Sequence, residues 1–399
     1  MRVAIVTRIF EPEPSAASLR LGTLANSFSE SGHTVNVLTV KPARGARTND
    51  ADRTYKVRRF PVLRDSSGYV RGYLQYLSFD IPIFFRILFG ARRDIFVVEP
   101  PPTTGLFVRI ASGLRRIPYI YYAADIWSDA AAQTGAPKWI LRLVRAVELL
   151  AMRGASKIVS VSVDLTERLH EFGVQPPIVT VGNGVDTDRL SKSLQATVTS
   201  GETRRESRVF VYAGTASEVH GAEIFVEAMP MVLKTYPDVR LRFIGGGSER
   251  DSLIRRVNQL GISHAVTFES TKQIEELAPI LRQATVAIAS VRPNSGYDFA
   301  FPTKLYAAAV CGAKLLYTGN GPARDFVNVE LSGEPLGTAV DFDPLSVASA
   351  MVELIREEQS IERRIAVSTW AKEALSLKKV SERIVEVASQ VVDKEGPKA

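Results

Sequence analysis

The sequence predicts an α/β protein built from two Rossmann-like halves in tandem, and three observations carry that reading. Short apolar runs of strand type alternate with amphipathic helical stretches along nearly the whole chain, the order that builds parallel sheets through right-handed crossovers. A length of 399 residues exceeds one compact domain and suits two of roughly 150–200 residues. The alternation lapses once, over Leu190 to Arg208, where Ser, Thr, Glu and Arg displace apolar periodicity, so this stretch reads as a linker. The expected division is 1–189, a linker 190–208 and 209–375, with a C-terminal helix over about 376–393 free to pack back on the first half.

In the first half, Val3 to Thr7 is an apolar strand. Ser15 to Ser31 is a helix with Leu19, Leu24 and Phe28 at helical spacing, stopped by Gly32, and Thr34 to Val40 is the next strand. Ser15, Ala16 and Ala17 are small enough to let a ligand approach the backbone. No GxGxxG is present, so a dinucleotide fingerprint is absent. Tyr55 to Phe60 is a further strand. Arg64 to Arg93 then sets Tyr69, Tyr73, Phe79, Ile83, Phe85 and Phe89 among Arg64, Arg71, Arg86, Arg92 and Arg93. That mixture suits the plane of an anionic membrane surface. It also suits a core helix with a surface helix beside it, and Pro82, which breaks the run, favours this second reading. Asp94 to Glu99 is a strand, Leu106 to Ser112 a helix, and Tyr119 to Ala123 a strand ending at Asp125-Ile126-Trp127. Ligands of open α/β sheets bind outside the carboxyl ends of strands, and Glu99 and Asp125 hold such positions. Trp139 to Met152 is a helix, Lys157 to Ser162 a strand, Asp164 to Phe172 a helix, and Ile178 to Val181 a strand.

The second half repeats the pattern. Val209 to Ala213 is a strand opening onto Gly214-Thr215, and Ala222 to Tyr236 a helix. Arg240 to Ile244 is a strand ending in Gly245-Gly246-Gly247, and Glu249 to Leu260 a helix. Val266 to Glu269 is a strand, Ile274 to Arg282 a helix, and Ala284 to Ser290 a strand. A loop with Pro293, Asn294 and Gly296 leads to a helix beginning near Pro302-Thr303-Lys304 and closed by Gly312, then a strand from Ala313. Pro344 to Glu358 and Ile361 to Leu375 are helices. Free N–H groups, the positive dipole end and the Lys304 ammonium would converge there on an anion such as a phosphate. A merely solvated lysine is the plain alternative.

Composition narrows the function. With 45% apolar and 23% charged residues the chain is an ordinary globular protein, and its net charge of +7 favours acidic partners. No aromatic-interleaved basic motif suggests nucleic acid, and none is expected as a partner. The lone Cys311 excludes an internal disulfide, and one cysteine with four histidines shows no metal-ligand spacing. The start MRVAIVT reads as a strand rather than a secretory signal. No window reaches the ~18 uninterrupted apolar residues of a spanning helix. A cytoplasmic location is therefore expected.

The order of these segments carries a resemblance. GHTVNVLT, DIW, ASKIVSVSVDLTERL followed by VGNGVD, then VYAGTASEVHG, LRFIGGGSER and FPTKLYAAAVCGAKLL resemble a retaining glycosyltransferase of family four, nearest its bacterial exopolysaccharide and O-antigen branch. The resemblance covers nearly the whole chain and implies the GT-B fold, two Rossmann-like domains facing across a cleft. It implies a nucleotide-sugar donor as substrate, no cofactor, no metal, and a glycan or lipid-linked acceptor, with an anionic membrane surface open as a partner and a peripheral place at its inner face. The donor diphosphate would lie on Gly214, Thr215 and His220 and at Phe301, Pro302, Thr303 and Lys304, with Gly245 and Gly246 passing close and Phe268 and Glu269 bordering the base. The acceptor would lie near Glu11, Ser15, Ala16, Ala17, Asp125 and Trp127. Asp125 and Lys304 would act in catalysis, with the leaving phosphate taking the acceptor proton in a front-face attack.

The sequence departs from the family at two places. The usual two glutamates eight positions apart are here Phe299 and Ala307, with Asp298 one residue off the first. The usual arginine and lysine after the first C-terminal strand are Thr215 and His220, so anion binding leans on Lys304, backbone amides, and His220 or Arg292. A lost ribose carboxylate costs on the order of 1–3 kcal/mol of binding. This leaves two alternatives: transfer to a soluble secondary metabolite, or a non-catalytic protein that binds a sugar nucleotide or a partner. The DxD strings at Asp186-Thr187-Asp188 and Asp341-Phe342-Asp343 read as structural.

Overall fold

A computed structural model describes residues 1–13, 15–43, 48–65, 70, 72–132, 137–191, 208–357 and 359–395. The chain forms two compact units, Met1–Asn183 with Leu377–Ala399, and Gly184–Ser376. The division falls before the expected residue 189 because Val185 is tied into the second unit. It bridges Ser376 in parallel, and its N–H donates to the Leu375 carbonyl at 3.0 Å. Most of the expected linker, with Tyr69 and Arg71, lies outside the described residues.

The first unit is a parallel sheet of seven strands among the described residues: β1 Arg2–Val6, β2 Thr34–Val40, β3 Lys56–Phe60, β4 Ile95–Val98, β5 Tyr119–Ala123, β6 Lys157–Ser160 and β7 Ile178–Thr180. Their order is β3-β2-β1-β4-β5-β6-β7. The order reverses between β1 and β4, the switch point where open sheets form their crevice. Val3, Ile5, Val37, Ile95, Val97 and Ile120 are buried by the helices that cover the sheet, among them Ala16–Glu30 and the C-terminal helix Leu377–Glu395.

Pro82 does not break the run that contains it. A single helix spans Tyr73–Phe89 with Pro82 inside. The ring forfeits one backbone hydrogen bond, while Phe79, Ile83 and Ile87, each at most 2% exposed, bury the inner side of the helix, which packs on the following helix. The next helix begins at Pro102 rather than Leu106 and runs to Arg115, because proline is well placed in a first turn.

The second unit holds a six-stranded parallel sheet: β8 Val209–Ala213, β9 Arg240–Ile244, β10 Val266–Glu269, β11 Val286–Ser290, β12 Leu315–Thr318 and, last in the chain, β15 Gly337–Val340. A two-stranded hairpin, β13 Glu330–Leu331 with β14 Glu334–Pro335, precedes β15. The sheet order is β10-β9-β8-β11-β12-β15, with its reversal between β8 and β11. The hairpin, the helix Pro322–Val327 and the helix Trp127–Ala132 are too short for periodicity to reveal, and the sequence reading missed them.

Candidate functional site

Within the second unit, the loops after β8, β9 and β11 and the start of helix Lys304–Val310 come together. Loop Gly214–Ala216 and loop Gly245–Gly247 continue the β8–β9 pairing past the strand ends. The Gly214 N–H donates to the Ile244 carbonyl at 2.8 Å and the Ala216 N–H to the Gly246 carbonyl at 2.9 Å. This contact needs glycine. Gly245 has φ +139°, and a Cβ there would lie 2.4 Å from the Gly214 carbonyl oxygen. Gly245→Ala should therefore lower the unfolding free energy by at least about 1–3 kcal/mol, read as a fall in the denaturation midpoint.

Lys304 reaches across to this turn. Its Nζ lies 3.3 Å from the Thr215 carbonyl oxygen and 3.5 Å from the centroid of the Tyr212 ring. Among the described residues no carboxylate pairs with it. The side chain is half-buried, with its tip still reachable, and the protein around it pushes the ammonium well below the usual lysine range. A cation held by a carbonyl and a ring face, without a counter-ion, is a place for an incoming anion. His220 lies close by. Burial first, and the Lys304 charge second, lower it to about 3, so it is neutral near pH 7; its Nδ1 is 2.7 Å from the Ser217 hydroxyl. A neutral histidine offers a hydrogen bond rather than a charge.

The remaining expected donor residues fare differently. Phe268 stacks on Phe243 at 5.1 Å and presents a flat ring beside Gly245 and Gly246. Glu269 is taken by Arg242 at 2.8 Å and Lys272 at 3.2 Å, and the Arg242 hydrogen bond holds it below the usual carboxylate range. Asp298 accepts from the Asn294 N–H at 3.2 Å and the Asn320 amide at 3.4 Å, so it shapes its own loop. Phe299 stacks on Tyr297 at 5.6 Å. Phe301 stacks on Tyr306 at 4.1 Å and meets Phe326 edge-on, while Ala307 packs on the same core, so these two support the helix from behind. Pro302 is buried, and Thr303 caps the helix start without a side-chain hydrogen bond. Arg292 is bound to Glu223 and to the Glu218 carbonyl and is not a free cation.

Arg250 was not foreseen. Its guanidinium donates to the carbonyls of Gly245 at 2.8 Å, Glu269 at 2.9 Å and Phe268 at 3.2 Å, which clamps two strand ends together. An arginine in the first turn after a glycine run was the signal available.

In the first unit, the crevice at the switch point holds a buried ion pair. Arg20 of helix Ala16–Glu30 bonds Glu99 just past β4, and its guanidinium lies 5.2 Å from the Tyr122 ring centroid. Asp125, just past β5, keeps an open face to solvent. Crowding by the protein raises it to about 6, Arg20 opposing and Glu99 adding to the shift. The turn that carries it is fixed by Glu148, buried on helix Lys138–Arg153, which accepts the N–H groups of Trp127 at 2.7 Å and Ser128 at 2.9 Å. Burial pushes Glu148 up to about 7. A carboxylate inside an apolar helix stripe marked it in the sequence, but only the fold supplies its partners. The Trp127 ring meets Tyr76 edge-on at 6.1 Å, and buried Arg8 lies over the same Tyr76 at 3.6 Å.

Ser15 caps its helix by accepting from the Ser18 N–H at 3.1 Å, and Ala16 beside it is exposed while Ala17 is half-buried. Glu11 is engaged within the unit: its carboxylate pairs with Arg53 and lies against Gly22. Among the described residues no group of three His, Cys, Asp or Glu could hold a metal ion.

Comparisons with known proteins agree with this architecture. Residues 16–184 match the family described as Glycosyl transferase 4-like domain, and residues 207–357 match Glycosyl transferases group 1. A D-inositol 3-phosphate glycosyltransferase of Corynebacterium jeikeium is 28% identical over 204 residues, 47% of this chain and 45% of that protein. A GDP-mannose-dependent alpha-(1-6)-phosphatidylinositol monomannoside mannosyltransferase of Mycolicibacterium smegmatis is 25% identical over 55% of this chain and 58% of that protein. The chain thus spans about half the length of the curated relatives it matches. Among solved structures, a sucrose-phosphate synthase from Thermosynechococcus elongatus aligns with a TM-score of 0.74 at 13% identity, over 99% of this chain and 100% of that one. Anabaena Alr3699/HepE in complex with UDP aligns at 0.71 and 18% identity, over 98% and 100%. Two parallel Rossmann-like sheets and the two matched domains in this order place the chain in the family-four-type glycosyltransferases of the GT-B fold.

Proposed function

We propose that the protein transfers a glycosyl group from a nucleoside-diphosphate sugar to a glycan or lipid-linked acceptor, with retention and without a metal or other cofactor. The observation that carries this reading is Lys304, a half-buried ammonium with no carboxylate partner among the described residues, set against the glycine turn after β8. A leaving diphosphate at that point would have a preorganised cation and backbone N–H groups, which supply much of the stabilisation in such transfers. The base would border Phe268, whose ring is stacked on Phe243 and lies 5.7 Å from the Arg250 guanidinium. The Anabaena neighbour was solved with UDP and with UDP-glucose, which supports a nucleotide sugar as donor. The names of the two relatives, an inositol phosphate and a phosphatidylinositol mannoside transferase, support a phosphorylated or lipid-linked acceptor.

A thermal-shift screen of UDP, GDP, ADP, CMP and dTDP tests the donor site. One nucleotide at about a hundred times its Kd should add about 2.7 kcal/mol of stability, and a flat screen would remove the reading. A second reading rests on Asp298, Phe299 and Ala307, none of which offers a free carboxylate in place of the usual glutamates. On that reading the protein binds a sugar nucleotide without turning it over, and the screen would respond while donor consumption would not.

The rate should also carry an acid limb. Asp125 loses its charge as pH falls through about 6. If its carboxylate orients the acceptor hydroxyl, kcat/KM falls below that pH, and Asp125→Asn gives a low rate with a flat profile. An unchanged limb in the variant assigns the titration elsewhere.

A further inference from the structure

The helix Tyr73–Phe89 is apolar on both sides. Phe79, Ile83 and Ile87 face the core, while Leu77, Ile81, Phe85 and Phe89 are 36%, 45%, 50% and 80% exposed. Their spacing of four residues makes one outward stripe along the helix. A helix apolar all round belongs inside a core or against an apolar phase, and within its own unit this one covers only its inner side. The neighbouring helix Pro102–Arg115 adds exposed Ile110 and Leu114 to the same covering layer.

The stripe ends at a cavity of about 390 Å³ on that face of the sheet, lined by Phe60, Phe85, Phe89 and Phe96. Arg58, Arg86 and Arg93 line it too. They come from β3, from the helix and from the turn before β4. Among the described residues none of the three has a carboxylate partner. Arg86 lies 3.8 Å from the Phe60 ring centroid, and Arg93 reaches only the Arg92 carbonyl at 3.4 Å. Burial, then the like charges of Arg58, Arg2 and Arg115, lower the pKa of Arg93, opposed only in part by Asp94, whose carboxylate is paired with Arg2. Three cations gathered without counter-ions around an apolar pocket, continuous with an exposed aromatic stripe, match one chemistry: an anionic amphiphile.

We propose that this face docks on an anionic phospholipid bilayer, with Arg58, Arg86 and Arg93 taking a lipid phosphate and Leu77, Ile81, Phe85 and Phe89 entering the acyl boundary. No helix among the described residues is long and apolar enough to cross a membrane, so the contact lies in the interfacial plane. The stripe supplies apolar area and the arginines supply the selection for negative lipid. The site is separate from Lys304 and Asp125, and docking does not depend on the transferase reading.

The test is co-sedimentation of the full chain, without donor, on vesicles of phosphatidylglycerol and phosphatidylcholine in equal amounts and on phosphatidylcholine alone. The wild type should partition at least about tenfold more strongly onto the mixed vesicles. The triple variant Arg58→Ala, Arg86→Ala, Arg93→Ala should bind them on the order of a hundredfold more weakly. Phe85→Ser with Phe89→Ser should weaken binding to both vesicle types. Arg58→Glu, at an exposed position that leaves the core intact, repeats the charge test should the triple variant fold poorly. Equal wild-type binding to both vesicles, or variants that bind like the wild type, would overturn the proposal. Release from the mixed vesicles by inorganic phosphate at constant ionic strength would assign the pocket to a free phosphate instead. Concentration-dependent dimerisation that the two serine changes abolish, without vesicle binding, would assign the face to a second copy of this chain.

Discussion

Replacing Lys304 by methionine is expected to lower turnover by about a hundredfold to a thousandfold, the loss typical when one preorganised group facing developing negative charge is removed. The same change should not harm the ligand-free fold. Burial holds the Lys304 ammonium below its unfolded pKa. Between the two values the unfolded chain binds the extra proton, so wild-type stability rises with pH across that window. Methionine removes this dependence and keeps the stem that packs on Tyr212. The ligand-free variant should therefore melt at or above the wild-type temperature at neutral pH, and the nucleotide-induced rise in melting temperature should vanish. Loss of the ligand response with the base melt preserved separates a binding role from a structural one. Unchanged turnover removes Lys304 from the mechanism. Because an incoming diphosphate must find the lysine protonated, nucleotide affinity should also weaken as pH rises through the free-state pKa, and the variant should lack that dependence.

Glu99→Ala is the change with the largest expected effect on stability. Arg20 and Glu99 are 8% and 4% exposed, and Arg20 has no other carboxylate in bonding distance among the described residues. Burial is the largest single influence and lowers the arginine's pKa, but Glu99, Tyr122 and Asp125 together raise it by more, so the guanidinium stays charged in the fold. Removing the glutamate strands that charge and should cost about 3–5 kcal/mol, a fall in melting temperature on the order of 10 °C. Removing both charges with well-filling side chains, Arg20→Met with Glu99→Leu, should recover most of the loss, since a buried pair gains little over apolar packing. A double variant as unstable as the single would mean that the pair does more than neutralise itself. Arg20→Met alone carries a second readout. Arg20 opposes the upward shift of Asp125, so its loss should move the acid limb of the rate above pH 6.

Much of the geometry around the candidate site in the second unit was legible because it is local. Gly214, Gly245 and Lys304 sit at strand ends and a helix start, and the chain order of strand, turn and helix places them at one edge of a parallel sheet. Other expected residues are engaged with distant parts of the fold. Phe301, in the loop before the helix, and Ala307, within it, lie within a few positions of Lys304 but pack against the core of the second unit, a placement that sequence distance does not reveal. Glu11 stands in the expected loop, yet Arg53, from a distant segment, claims its carboxylate. Pro82 signalled a break that three buried side chains override.

The sequence by itself determined the two parallel sheets and the position of the glycine turns. Apolar runs alternating with amphipathic helical stretches call for right-handed crossovers between parallel strands, and each turn is read from residues within a few positions of it. Only the tertiary structure decided which charges are free. Among the described residues Lys304 has no carboxylate partner while Arg292, Glu269 and Glu11 have an ionic one, and Arg58, Arg86 and Arg93 share a pocket although 28 and 7 positions separate them in turn. A charge's partner is set by what the folded backbone brings within a few ångströms of it. In this chain those partners come from other strands and helices, so no local pattern encodes them.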